Sequence, residues 1–198
     1  MTWVKICGLT RPEDVEAAEV AGADALGFVL IESSPRVITI DQAATLIGRT
    51  ESAAFILTKD LRPPDLIAAA LATGATGVQP YGRYAAEAAA AATLVGLQVL
   101  RPIDPGENVA DIPLDQYPLF DSKSKAGEGN GGRMVDPANL PVSDRAFVLA
   151  GGLTPGNVTH VIASANPWGV DVSSGVETRP GVKDAGLIRS FLDAAHKS

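Results

Sequence analysis

Phe147-Val148-Leu149-Ala150-Gly151-Gly152-Leu153-Thr154-Pro155 packs three signals into one short stretch. The apolar run 147–150 reads as a buried strand, the glycine pair as a tight exit, and Thr154-Pro155 as the cap and first turn of a helix. A strand that runs directly into a helix is half of a crossover unit, the building block of a parallel sheet.

The same unit recurs along the chain. Strand-like runs fall at 3–7, 25–30, 53–57, 77–79, 98–103, 119–121, 147–150 and 169–173. Helical patterns lie between and after them, near 11–21, 41–49, 64–73, 84–95, 136–140, 155–164 and 183–196. The last places Leu187, Ile188, Phe191, Leu192 and Ala195 on one face. Thr10-Arg11-Pro12-Glu13 and Thr39-Ile40-Asp41-Gln42 each fit a capping box. The alanine-rich 85–92 suits a helix, because alanine is the strongest helix former. Residues 104–116, rich in Pro and Asp, are expected to form a loop with at most a short helix.

Alternating strands and helices imply parallel strands joined by right-handed crossovers. An open doubly wound sheet is the competing arrangement. Eight regular units in 198 residues favour a closed (β/α)8 TIM barrel, a single α/β domain over 1–198. No Gly-x-Gly-x-x-Gly follows the first strand, which weakens a dinucleotide-binding sheet.

Composition narrows the function. A net charge of −7 argues against nucleic acid and anionic membrane as partners, though a local site for a phosphorylated small molecule remains open. Cys7 stands alone, so no internal disulfide forms, and a cytoplasmic location fits. No apolar run approaches the length of a membrane span. No His/Cys/Asp/Glu cluster has metal-ligand spacing, and His160 and His196 fall on helices as surface residues.

In a barrel, chemistry gathers at the carboxyl ends of the strands. The first strand ends Lys5-Ile6-Cys7-Gly8. Alternation turns Lys5 and Cys7 inward and Val4 and Ile6 toward the helices. Cys7 then sits at the catalytic rim, although a lone cysteine is also commonly a small buried apolar residue. Lys5 reads as an interior ion-pair partner, with a Schiff-base amine as the alternative. The same parity turns Asp121 inward at the end of its strand, where a carboxylate suits a general acid or caps the next loop. Gly151-Gly152 after the seventh strand and Ser173-Ser174-Gly175 after the eighth occupy the places where barrels commonly hold phosphate. Arg36, after Ser33-Ser34-Pro35, suits a carboxylate or is a solvated loop charge. The glycines 127, 129, 131 and 132, before Arg133, form a lid or a plain loop.

Several of these stretches resemble one family. Lys5-Ile6-Cys7-Gly8-Leu9-Thr10, Gly22-Ala23-Asp24-Ala25-Leu26-Gly27-Phe28-Val29 and Ser34-Pro35-Arg36 are similar to signatures of the phosphoribosylanthranilate isomerases. So are Ala150-Gly151-Gly152-Leu153-Thr154-Pro155-Gly156-Asn157-Val158 and Asp171-Val172-Ser173-Ser174-Gly175-Val176-Glu177, with Pro180-Gly181-Val182-Lys183-Asp184 after them. The resemblance implies a cofactor-free Amadori rearrangement in tryptophan synthesis, in a monomer or homodimer. It implies Asp121 as the acid that opens the ribose ring and Cys7 as the base at C2. It further implies Arg36 on the anthranilate carboxylate. Departures are Gln79-Pro80-Tyr81-Gly82 for the usual Gln-Leu-His-Gly, Arg101 where a small residue is usual, and Gly129-Asn130-Gly131-Gly132-Arg133 after Asp121. Two rivals differ in class: a lyase using Lys5 as a Schiff-base amine, and a sugar-phosphate-binding barrel without catalysis.

Overall fold

The computed structural model describes residues 1–103, 107–121 and 145–197. The expected helix near 136–140 and the glycine-rich stretch 127–133 lie outside them. Eight parallel strands close in sequence order into a barrel: β1 (Trp3–Cys7), β2 (Ala25–Val29), β3 (Ala53–Lys59), β4 (Gly77–Tyr81), β5 (Gln98–Pro102), β6 (Tyr117–Asp121), β7 (Val148–Ala150) and β8 (Gly169–Val172). The seam closes where β1 meets β8, with Lys5 opposite Asp171.

The helices are α1 (Pro12–Val20), α2 (Ile40–Ile47), α3 (Pro63–Thr73), α4 (Ala85–Leu94), α5 (Val158–Ala165) and α6 (Ala185–His196). The segment after β5 holds one 3-10 turn at Val109–Asp111, in line with the expected loop. Strands β3 and β4 run two residues past their apolar runs, because Thr58 pairs with Pro80 and Lys59 with Tyr81. A short hairpin of β9 (Glu177–Arg179) and β10 (Val182–Lys183) follows β8 and was not foreseen.

Local signals decide where helices begin. Thr39 and Gln42 form the expected capping box of α2. Thr10 does not cap α1: its hydroxyl donates to Gly181 O at 2.5 Å, and Arg11 takes the cap position without a side-chain bond. Pro12 in the first turn removes one N–H that would otherwise need a partner. Thr154 does not cap α5 either. Residues 154–157 form a turn, and the helix starts only at Val158. Asn157 holds that turn, accepting from Thr154 N at 2.8 Å and donating to Gly152 O at 2.9 Å.

Two apolar layers result. Val4, Ile6, Leu26, Phe28, Ile56, Val99, Leu149 and Val170 face outward into the layer that holds Phe191 and Leu192 of α6. Ala25, Phe55, Leu100, Leu119, Val148 and Ala150 fill the barrel. Large and small residues are mixed there, as the taper of a small barrel interior demands. A Cβ on Gly77 would lie 2.3 Å from the Phe55 ring, and one on Gly169 would lie 2.7 Å from the Trp3 ring. At the amino ends of the strands, Trp3 stacks on Trp168 (centroids 5.0 Å apart), and Trp168 stacks on Tyr117 (4.6 Å).

Candidate active site at the carboxyl ends of the strands

The inward parity derived for β1 is present. Lys5 is fully buried inside the barrel and Cys7 ends the strand at its rim, 5% exposed. Room for both comes from Gly27 on the neighbouring strand. A Cβ there would lie 2.8 Å from Cys7 Sγ and 3.1 Å from Lys5 Cε. Gly8 then turns the chain with φ +77, and its missing side chain leaves space for the Arg36 stem; a Cβ would meet Arg36 Cδ at 2.4 Å.

One pocket at this end is lined by Cys7, Asp121, Arg36, Gly151, Gly152, Ser173 and Ser174. Seven of the eight residues singled out in the sequence therefore share a wall. Gly175 is the exception, and its place has a steric reason. It lies in the 3-10 turn Ser174–Val176, pressed against the loop after β7. A Cβ on Gly175 would lie 1.8 Å from Leu153 O. Its part is to let the two candidate phosphate loops touch.

Sequence reasoning missed several members of the site. Gln79, Tyr81 and Asp171 also line the pocket. Parity would have found them: Gln79 and Tyr81 alternate with the inward Gly77, and Asp171 lies opposite Lys5. Lys5 Nζ donates to Asp171 Oδ2 at 2.9 Å and to Gln79 Oε1 at 3.0 Å. Burial pulls the Lys5 ammonium toward its neutral form, but the charges of Asp171 and Cys7, with hydrogen bonds to both, raise its pKa above the ordinary value. A Schiff-base amine must be neutral to attack, so Lys5 is the ion-pair partner and the lyase reading is set aside.

Arg36 is not a solvated loop charge. Its Nε and Nη2 grip the two oxygens of Glu177 at 2.7 and 2.6 Å. Lys183, buried beneath, donates to the same Glu177 Oε1 at 2.8 Å and to Cys7 O at 2.6 Å. Burial drives the Lys183 pKa down, only partly offset by Glu177. Burial also works to raise the Glu177 carboxyl, but Arg36 and Lys183 hold it below its ordinary value.

Burial is the largest influence on Cys7 and lifts its thiol above the ordinary value. The Lys5 and Lys183 charges pull it back, while Asp171 adds to the rise. The second departure, Arg101, lies off this pocket: it is buried, donating to Pro102 O and to Glu107 Oε1. Among the described residues, no group of three His, Cys, Asp or Glu side chains could hold a metal ion, and no helix is long and apolar enough to cross a membrane.

Comparison with known proteins gives one consistent answer. The family model for N-(5′-phosphoribosyl)anthranilate isomerase matches residues 4–194. The N-(5′-phosphoribosyl)anthranilate isomerase of Pelobacter propionicus is 39% identical, with 100% of this chain and 97% of the relative covered. The crystal structure of phosphoribosyl anthranilate isomerase from Thermus thermophilus superposes with a TM-score of 0.86 at 30% identity, covering 99% of both chains. A phosphoribosyl anthranilate isomerase solved with reduced 1-(o-carboxyphenylamino)-1-deoxyribulose 5-phosphate gives a TM-score of 0.84 at 30% identity, covering 100% of both chains.

Proposed function

The chain belongs to the N-(5′-phosphoribosyl)anthranilate isomerase family, an enzyme of tryptophan biosynthesis, and we propose that Cys7 and Asp121 carry the proton transfers of its reaction. The observation behind this reading is that the Cys7 thiol, at the end of β1, and the Asp121 carboxyl, at the end of β6, line one pocket with Arg36 and two loops suited to phosphate.

The chemistry needs one acid and one base. Asp121 gives its proton to the ribose ring oxygen as the C1–O bond breaks, and the anthranilate nitrogen supplies the electron pair that forms the C1 iminium. The Cys7 thiolate then takes the proton from C2. The C–H electrons become the C1–C2 double bond, and the iminium electrons return to nitrogen. The enolamine gains a proton at C1 and loses one from the C2 hydroxyl to give the ketone. The substrate's own nitrogen is the electron sink, so the scheme calls for no cofactor.

Phosphate is assigned to Gly151, Gly152, Ser173 and Ser174, with Gly175 keeping their two loops in contact. Arg36 is assigned to the anthranilate carboxylate through the guanidinium hydrogens that Glu177 leaves over. The partner is thus a phosphorylated small molecule, handled by a monomer or homodimer in the cytoplasm. The test is a fluorescence assay of substrate loss with purified protein. Wild-type turnover that falls by orders of magnitude in Cys7→Ser and Asp121→Asn is expected. Turnover unchanged in either variant removes that residue from the mechanism, and a wild-type protein that binds without turnover would restore the non-catalytic reading.

A further inference from the structure

Gln79 sits between two partners that leave its amide only one orientation. Lys5 Nζ has only hydrogens to offer, so the atom it meets at 3.0 Å is the amide oxygen. The amide nitrogen is thereby turned the other way, and it donates to the Tyr81 hydroxyl at 2.5 Å. In that bond the phenol oxygen is the acceptor, so its own hydrogen must serve another partner. Tyr81 ends β4, half-buried, in the wall shared with Cys7 and Asp121. At the other end of the chain of bonds, Asp171 spends Oδ2 on Lys5. Its Oδ1 is buried and, among the described residues, has no hydrogen-bond partner. Asp171 lines the same pocket.

A pocket wall with one donor still to use and one acceptor still to fill is matched by a group that both accepts and donates. Of the three parts of the substrate, only the sugar has such groups. The anthranilate carboxylate and the phosphate only accept, and both would be repelled by Asp171. We propose that Tyr81 and Asp171 together bind one hydroxyl of the sugar, Tyr81 donating to its oxygen and Asp171 Oδ1 accepting its hydrogen. This deepens the isomerase reading and rests on it. Burial first, then the charges of Asp121, Cys7 and Asp171, push the Tyr81 phenol well above its ordinary pKa. Tyr81 therefore remains a donor throughout the neutral range.

The test is the affinity of purified protein for the reduced product analogue, which keeps its hydroxyls and does not react, with inorganic phosphate as a second probe. Tyr81→Phe removes the donor. Gln79→Glu keeps the ring in place but reverses the bond, since a carboxylate at that position accepts from both Lys5 and the phenol. Each variant should weaken the analogue about tenfold, as expected when a polar contact is lost with its partner left buried. The double variant should be no weaker than either single one, and the affinity for phosphate should be unchanged. Wild-type affinity in Tyr81→Phe, losses that multiply, or an equal loss for phosphate would each overturn the proposal. In a wild type that turns over substrate, such a result sinks this inference alone. A wild type that neither binds the analogue nor turns over substrate sinks the isomerase reading with it.

Discussion

Arg36, in the pocket wall, and Glu177 meet as a two-pronged ion pair, Nε to Oε1 at 2.7 Å and Nη2 to Oε2 at 2.6 Å. The pair is held from below, because Lys183 donates to the same carboxylate. A guanidinium fixed by two of its five N–H groups presents the remaining ones in a set direction, which is what recognition of a planar carboxylate requires. Arg36→Ala should raise KM more than it lowers kcat. Loss of a charge-assisted hydrogen bond of about 1.5–3 kcal/mol corresponds to a KM increase of roughly tenfold to a hundredfold. Glu177→Gln should raise KM less, since Arg36 stays but loses its brace. Steady-state kinetics of both variants checks this. An unchanged KM in Arg36→Ala would mean that its donors are spent on Glu177 alone.

The buried thiol of Cys7 predicts a pH dependence. Its pKa is raised, so the thiolate proposed as base grows as pH climbs through the neutral range into the alkaline. The rate constant kcat/KM should rise along that limb in the wild type, and Cys7→Ser should lose the limb with most of the rate. Substrate deuterated at C2 separates the steps in single-turnover experiments. Cys7→Ser should show a full primary isotope effect on its residual rate, and Asp121→Asn a smaller one, because ring opening then limits. The reverse order would exchange the two roles. The linkage sign is also set: the folded thiol holds its proton more tightly than the unfolded one. The stability this contributes is complete below the unfolded pKa and is lost as pH rises through the folded one.

Gly175→Ala should damage phosphate recognition although Gly175 is not in the pocket wall. The new methyl would lie 1.8 Å from Leu153 O and 2.9 Å from Leu153 C, both backbone atoms that cannot swing aside. The loops after β7 and β8 must then part. Inhibition by inorganic phosphate or sulfate should weaken strongly, and the thermal midpoint should fall. A variant with wild-type phosphate inhibition would show that the loops do not need to touch.

Lys5→Met should cost stability before it costs chemistry. It leaves the Asp171 carboxylate buried without its cation, a loss of about 3–5 kcal/mol when one partner of a buried pair is removed. Urea denaturation of the variant measures it. Borohydride treatment of wild type with substrate should leave Lys5 unmodified by mass spectrometry, since the amine is held as an ammonium. A trapped adduct at Lys5 would reinstate covalent chemistry.

Much of the barrel was legible because it rests on short-range rules. Alternation along β1 predicts which way Lys5 and Cys7 turn, and the Thr39–Gln42 capping box needs only neighbours. What escaped depends on contacts distant in sequence. Thr10 is drawn from its capping role by Gly181 O, a partner 171 positions away. Glu177 and Arg36 are separated by 141 positions. The β9–β10 hairpin carries no apolar alternation, and Glu177-Thr178-Arg179 reads as exposed loop. Lys183, a buried cation, gave no sign of its burial beyond the Pro180-Gly181 turn that returns the chain to Cys7. Gln79 and Asp171 were within reach of the parity argument applied to Cys7 and Asp121.

The aromatic stack at the amino ends of the strands makes the chain its own optical gauge. Its two tryptophans, Trp3 and Trp168, begin or immediately precede the two strands that close the seam, and Trp3 N donates to Trp168 O at 3.2 Å. Both indoles lie at the end of the barrel away from the substrate pocket. Their emission should therefore register whether the first strand has zipped onto the last, and stay nearly indifferent to inorganic phosphate bound at the other end. A refolding trace recorded at these wavelengths is a clock for ring closure itself.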